Sequence, residues 1–482
     1  MDVISAYWPH VLAAISIVTG AVAIAHAAMT KEDVRSAAGW VGVILLSPII
    51  GAFVYFIAGV NRIRHTALAS RRSARRALWQ EFYGPAVPRY AVAECFSKQF
   101  LPMKQVGDTV TRFPLTAGNG IDILAAGDDA YQAIAKAIEE ARHSIILETY
   151  IFDRDRVGLR VADLLVAAQA RGVSVRVLID SVGARYSVPS IVRHLRDHGV
   201  RTETFNGKVI TGLRLPYANL RTHRKIIVID NEIAFTGGMN IREAFSQEFH
   251  GEGFARDTHF RITGPVVADL FSVAAEDWHF ASGEKLAAVV HPPVTVGPTE
   301  PIFARVVSSG PDGSIETNHK MLTGAFSVAQ RRIRIMSPYF LPDRELISAL
   351  VTAARRGVEI DILVPSENNL TLVDRAMTAQ FDQVLKHGCR IWRVQGPFDH
   401  SKLLTIDGEW SYVGSSNLDP RSLRLNFEVD LEILDADFAE RIEDRLDRAM
   451  IGARQVTLHE LRHRPVLLRL AEKILWLGSP YL

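Results

Sequence analysis

Two stretches of the chain carry no Asp, Glu, Lys or Arg: residues 6–28 (AYWPHVLAAISIVTGAVAIAHAA) and residues 37–60 (AAGWVGVILLSPIIGAFVYFIAGV). Each is long enough to cross a bilayer core of about 30 Å as a helix, so the pattern predicts two N-terminal transmembrane helices. The "AHA" that ends the first stretch resembles a signal-peptide cleavage site, but no Lys or Arg precedes the apolar run as a signal peptide requires. The connection MTKEDVRS balances its basic and acidic residues, whereas Arg62, Arg64, Arg71, Arg72, Arg75 and Arg76 follow the second stretch with no acid before Glu81. That asymmetry predicts a short hairpin outside and the long C-terminal part in the cytoplasm. The arginines suit either of two roles, setting topology alone or also holding the next domain against anionic headgroups.

Past Glu81 the apolar positions become periodic and repeat. Residues 144–180 (SIILETYIFDRDRVGLRVADLLVAAQARGVSVRVLID) run parallel to residues 332–365 (RIRIMSPYFLPDRELISALVTAARRGVEIDILVP), and each reads strand, turn, amphipathic helix, strand. A β-rich run ends in Tyr150 or Tyr339. A helix follows with Leu164, Leu165 and Ala168, or Leu346, Leu350 and Ala353, and Gly172 or Gly357 closes it. These are βαβ units, and a parallel sheet is the expected outcome. HLRDHGVRTETFN and QVLKHGCRIWRVQ then supply a helix end and another strand in the same order, so the chain holds two copies of one domain. The first copy carries the extra GKVITGLRLPYA, and HPPVTVGPTEP (291–301) is the expected link between copies.

Composition changes this picture little. At 482 residues two or three domains are expected, and 22% charged with 48% apolar residues is a globular balance with its apolar excess at the N-terminus. A net charge of +2 is too small to argue for a nucleic-acid partner. The two cysteines, Cys95 and Cys389, are far apart and lack partners at ligand spacing, which excludes a disulfide framework and a CxxC zinc site and fits a reducing compartment. The other histidines show no pairing at zinc spacing, so neither metal nor cofactor is expected.

Each copy then carries a further motif: HRKIIVIDNEIAFTGGMN (223–240) and HSKLLTIDGEWSYVGSSN (400–417). In a strand, residues two apart share a face, so His223 with Lys225, and His400 with Lys402, are expected to point the same way. Asp230 and Asp407 fall at the strand end, where they suit tying it to neighbouring backbone. The small-residue stretches beyond let backbone amides and the side chains of Asn240 and Asn417 approach an anion. One such match is weak; two at equivalent places in two repeats are specific. Two imidazoles and two ammonium groups supply what a phosphodiester exchange needs without metal: a nucleophile, a proton donor and fixed positive charge for the phosphoryl oxygens.

The paired motifs resemble the HKD signature of the phospholipase D superfamily. The wider sequence resembles bacterial cardiolipin synthases in its two apolar segments, LRTHRKIIVIDNEIAFTGGMNI, SGPDG, SPYFLPD, VGSSNLDPRSLRLNFEVD and the terminal LGSPYL. The resemblance covers nearly the whole chain and implies an α/β protein: a two-helix transmembrane anchor (1–62), a basic juxtamembrane linker (63–110), and tandem phospholipase D-like α/β/α sandwich domains (111–290 and 300–482) packed as a pseudo-twofold pair. It implies a multi-pass protein of the bacterial inner membrane that joins two phosphatidylglycerol molecules into cardiolipin and glycerol through a phosphohistidine. Water as acceptor would make the same machinery a hydrolytic phospholipase D, and another donor or acceptor headgroup a different phosphatidyltransferase. A nuclease of the superfamily is disfavoured by the membrane segments, and a catalytically dead lipid-binding scaffold by the intact His and Lys set.

By the resemblance, His223, Lys225, Asp230, His400, Lys402 and Asp407 form the catalytic set, with His223 attacking and His400 acting as acid and base. Asn240, Asn417 and Ser415 would hold phosphate, the first copy departing from the pattern with Gly238 where the second has Ser415. An attacking imidazole also needs a carboxylate on its other nitrogen. Glu428 in NFEVD is placed for this as in the family, and Asp257 in ARDTHF is the first copy's candidate. Tyr150 and Tyr339 suit either the mouth of the site or the core. The tail RPVLLRLAEKILWLGSPYL puts Leu467, Leu470, Ile474 and Leu477 on one helical face, which fits either the membrane interface or packing on its own domain.

Overall fold

The computed structural model describes residues 2–31, 34–59, 86–206, 220–286, 302–311 and 314–479. The six arginines after the second apolar stretch, the GKVITGLRLPYA insertion, the HPPVTVGPTEP link, and the ends of SGPDG and LGSPYL lie outside the described residues. The chain divides into two compact units, Met1–Ala69 and Ser70–Leu482.

In the N-terminal unit one helix, Asp2–Thr30, contains an apolar span, Tyr7–Thr30, long enough to cross a membrane. The second expected span is not one helix. It runs as Val34–Leu46, breaks at Ser47, resumes as Pro48–Val54 and ends in a π-helical turn, Tyr55–Gly59. Pro48 supplies no N–H and disfavours helical geometry at Ser47, whose φ of −148° and ψ of 82° leave the helix. The pieces still pack on the first helix. Gly20 lies against Pro48, and His26 Nδ1 lies 2.8 Å from the Tyr55 hydroxyl, whose ring meets Trp40 edge-on.

In the C-terminal unit the first copy contributes β1 (Thr116–Leu124), β2 (Ser144–Thr149), β3 (Ser174–Asp180), β4 (Arg201–Phe205), β5 (Arg221–Thr222), β6 (Ile226–Ile229), β7 (Ile233–Gly237) and β8 (His259–Thr263). The second contributes β9 (Ile302–Ser309), β10 (Arg332–Met336), β11 (Glu359–Pro365), β12 (Arg390–Val394), β13 (Leu403–Ile406), β14 (Trp410–Gly414), β15 (Asn426–Leu434) and β16 (Arg454–Val456). They join in the order β16-β12-β11-β10-β13-β14-β15-β9-β1-β8-β7-β6-β2-β3-β4. Reading outward from the β9–β1 junction, β1-β8-β7-β6-β2-β3-β4 runs in the same order of counterparts as β9-β15-β14-β13-β10-β11-β12, while β16 at the far edge has no counterpart and β5 stands off the path against β15. The two copies are thus joined through one continuous sheet.

On the main path the expectation of a parallel sheet holds for β2-β3-β4 and β10-β11-β12, the βαβ segments, and off it the short β5 also pairs in parallel with β15. The remaining neighbours on the main path are antiparallel because short turns, not crossover helices, connect β6 to β7 and β13 to β14. Helices Arg156–Ala170 and Arg344–Arg355 begin alike: the Asp155 and Asp343 carboxylates accept the N–H of Gly158 and Leu346. Both crossovers end at a glycine with φ of 93°, Gly172 or Gly357. One core gathers Ile134, Leu147, Leu165, Val177, Ile227 and Phe235, and the other Phe326, Ile335, Leu350, Ile362, Leu404 and Trp410. Helices Arg89–Cys95 and Phe100–Val110, in the stretch expected as linker, place Val92, Phe100 and Met103 in the second core.

Candidate active site

The His and Lys of each motif sit just before the sheet ladder, not within it as the spacing suggests: β6 begins at Ile226 and β13 at Leu403. The reason lies in the other copy. The His223 N–H donates to the carbonyl of Phe427 (2.8 Å), and the His400 N–H donates to the carbonyl of Arg256 (2.7 Å). Each motif therefore leaves its own sheet to pair with a segment of its counterpart. Arg224 fastens one crossing, donating to the carbonyls of Glu428 (3.0 Å) and Ser309 (3.1 Å) and pairing with Asp277. At the other, Ser401 Oγ meets Thr258 Oγ1 at 2.9 Å, and Arg445 reaches both Asp399 and Ser401 at 3.0 Å.

This pairing exchanges the orienting carboxylates. Phe427 is followed by Glu428, whose Oε2 lies 3.0 Å from Nδ1 of His223, and Arg256 by Asp257, whose Oδ2 lies 2.9 Å from Nδ1 of His400. The sequence offers both acids as candidates; it does not show that each lies against the histidine of the other copy. With Nδ1 placed to donate to a carboxylate, Nε2 is the ring nitrogen left able to accept a proton or to attack. Lys225 donates to the carbonyl of His223 at 2.6 Å, and Lys402 likewise to that of His400, which folds each ammonium back beside its imidazole.

The remaining predicted residues divide. Ser415 Oγ donates to Glu428 at 2.6 Å, so its hydroxyl supports the carboxylate behind the imidazole. In the first copy the Asp257 carboxylate fills that space: a Cβ on Gly238 would lie 2.6 Å from both its oxygens, which explains why no side chain stands there. Asn240 spends its carbonyl on the N–H of Ile151 at 3.1 Å. Asn417 lines the cavity instead, with its buried Oδ1 unpartnered. Asp230 and Asp407 are not at the site. Seven residues beyond the histidines, about 20 Å along extended chain, Asp230 accepts the N–H groups of Arg142, His143 and Ser144 at 2.7–2.8 Å. Asp407 does the same for Gln330, Arg331 and Arg332 at 2.6–2.8 Å.

His223 and His400 face one cavity of about 260 Å³. Tyr150 and Tyr339 line it, their rings 5.2 Å from His223 and 6.3 Å from His400, and Tyr339 is at the same time buried. Three guanidinium groups that the motif spacing did not single out also line it: Arg221, Arg242 and Arg421. Arg242 pairs with Asp153 at 3.0 Å. Arg421 is the second residue of the short helix Pro420–Arg424, which begins three residues after Asn417, and its only signal in the sequence was its place in SNLDPRSLRLNFEVD.

Burial, then the charges of Lys225 and Lys402, hold both imidazoles well below the usual histidine range. Burial likewise lowers Lys225 to about 7, against the attraction of Glu428, and Lys402 to about 8, against that of Asp257. It lifts Asp257 to about 7 and moves Glu428 upward. All six groups are thus pushed toward neutrality, and an anion bound among the lysines would favour their charged forms. Among the described residues one group could hold a metal, His319, Asp343 and Glu345, and it lies outside the cavity with Arg424 3.0 Å from the Asp343 carboxylate.

Residues 134–249 and 322–450 match the family described as cardiolipin synthase, PLD-like domain, and residues 11–59 match the phospholipase D-nuclease N-terminal family. The chain is 31% identical to cardiolipin synthase A of Pseudomonas fluorescens, over 99% of both chains, and 32% identical to that of Pseudomonas putida, over the whole of both. A cardiolipin synthase of Alkalihalophilus pseudofirmus is 30% identical over 92% of this chain and 88% of its own. Among solved structures, phosphatidylserine synthase of Haemophilus influenzae superposes with a TM-score of 0.59 over 79% of this chain and all of its own, at 17% identity, which speaks to the fold alone.

Proposed function

The chain belongs to the phospholipase D-like family of cardiolipin synthases, and from that premise we propose that it transfers a phosphatidyl group between two phosphatidylglycerol molecules, releasing glycerol. The observation that carries the mechanism is the exchange of carboxylates, which engages Nδ1 of two imidazoles that line one cavity, with the charges of Lys225 and Lys402 close enough to act on both. Nε2 of His223 attacks the donor phosphorus. A phosphorus–nitrogen bond forms, the bond to the glycerol oxygen breaks, and the proton on Nε2 of His400 goes to that oxygen. Glycerol leaves, and the primary hydroxyl of a second phosphatidylglycerol enters. Its proton passes to His400, its oxygen bonds to phosphorus, and the phosphorus–nitrogen bond breaks. Lys225, Lys402 and Asn417 hold the phosphoryl oxygens, whose added charge is greatest in the two transition states.

The division of labour follows the superfamily resemblance, in which the first copy attacks. Burial, then the charges of Lys225 and Lys402, disfavour the imidazolium at both histidines alike, and the anionic phosphate of a bound donor favours the proton that His400 must carry as the acid. The N-terminal unit anchors the chain in the membrane. We propose that the proline-broken second segment also lies within the bilayer, where such breaks are tolerated, and that the catalytic unit faces the cytoplasm. The test of transfer is the product from vesicles of pure phosphatidylglycerol. Cardiolipin and glycerol in equal amounts are expected, whereas phosphatidic acid with glycerol would identify a hydrolase.

A further inference from the structure

The terminal helix Val466–Leu477 carries its polarity inside out. Its acid, Glu472, is 1% exposed and clasped by Arg464 (2.9 Å) and Arg375 (3.3 Å), and Leu475 and Trp476 pack against the second core. Val466, Leu467, Leu470, Ile474 and Leu477 are instead 55–80% exposed and share one helical face about 100° wide. A terminal helix that merely packed on its domain in water would turn that face inward. This one already packs, through its other side, on helix Thr371–Gln380, so the exposed face is left over for another environment.

The neighbouring surface continues it. Leu370 and Leu372, at the start of helix Thr371–Gln380, are 48% and 56% exposed, and Leu370, Val373 and Ser479 line the cavity that holds His223 and His400. Apolar side chains therefore run from the cavity's edge onto the terminal helix. Arg462 and Arg469 stand exposed beside them, the latter's guanidinium resting on the carbonyl of Arg462 at 3.1 Å. Leucine and isoleucine facing out, with exposed arginines at the flank, suit a leaflet of anionic lipid, the acyl region taking the former and the headgroups the latter.

We propose that this face, the outer side of Val466–Leu477 with Leu370 and Leu372, inserts into an anionic leaflet and seats the cavity mouth at the headgroup level. Substrate would then enter from the bilayer with its acyl chains still in lipid. The choice of occupant draws on the lipid substrate proposed above, but the following measurement reads membrane contact whether or not cardiolipin is made.

In the full chain carrying Cys95→Ser and Leu470→Cys, a nitroxide attaches at one position, since Cys389 is buried and its thiol is pushed up to about 12. In phosphatidylglycerol proteoliposomes the label should be more accessible to oxygen than to a water-soluble nickel chelate. Preference for the chelate would overturn the proposal, and shielding from both reagents that grows with protein density would indicate a second copy on this face and overturn it equally. A second arm uses Leu467→Glu, Leu470→Glu and Ile474→Glu together. Turnover of bilayer phosphatidylglycerol should fall about tenfold or more, with turnover of a short-chain, monomerically dissolved analogue within about twofold of the parent. Undiminished turnover on bilayers would count against insertion.

Discussion

Removing the charge from either exchanged carboxylate tests the reactive pairs one residue at a time. Glu428→Gln and Asp257→Asn keep shape but lose the anion that fixes the tautomer and supports the imidazolium, so kcat should fall by about 10²-fold or more. Because Glu428 acts through His223, the pair His223→Ala with Glu428→Gln should be scarcely worse than His223→Ala alone. Protein trapped with phosphate-labelled lipid and quenched in base, where phosphohistidine persists, assigns the roles. His400→Ala should retain label and His223→Ala none, and the opposite pattern would reverse the assignment. The lysines set the alkaline limb. A lysine is charged below its pKa and neutral above it, so with Lys225 at about 7 and Lys402 at about 8, kcat/KM should decline as pH rises through that range. Bound phosphate favours the ammonium form, so the limb in kcat should lie at higher pH. The candidate residues could be picked out in the sequence because a motif repeated at matched places is improbable by chance. The crossing of Glu428 and Asp257 could not, because it depends on pairing between segments that spacing within one copy does not describe.

At the scale of elements, Asp230 and Asp407 join strand ends to strand starts. Each sits at positive φ, 53° and 56°, a conformation open to Asp and Asn but costly for alanine, and each accepts three backbone N–H groups. Asp230→Ala and Asp407→Ala should each lose about 3–5 kcal/mol of stability by leaving those donors unsatisfied, with the Asn variants milder. Denaturant titration in detergent would show it, and full stability with lost turnover would return these residues to the chemistry. The βαβ segments were legible because helical and strand periods alternate there with glycine stops. The antiparallel half of each sheet was not, because β6-β7 and β13-β14 are short apolar runs whose direction is fixed by turns at 230–232 and 407–409. The second apolar segment was long enough to span, but hydropathy does not register what Pro48 does to a backbone.

Across the whole molecule the site is self-contained in charge: its positive groups are side chains, and the nearest candidate metal cluster lies outside the cavity among the described residues. EDTA should therefore leave phosphatidyl transfer largely intact, and a strict requirement for added zinc or magnesium would sink the two-histidine scheme. Removing residues 1–60 should leave the tandem copies foldable, since both cores are built from later residues, while lowering turnover on bilayers more than on detergent-dispersed substrate. Equal losses would show that the anchor supports the catalytic fold. The exchange of carboxylates also constrains how such a gene can change. His223 and Glu428 are 205 positions apart and His400 and Asp257 143 apart, yet each pair is joined by one hydrogen bond. A side chain at 238 has no room until 257 shortens or moves, and a change at 257 or 428 is felt at the histidine of the other copy. Replacing one copy by a relative's would therefore have to preserve its acid as well as its motif, since each copy supplies the carboxylate against which the other's imidazole rests.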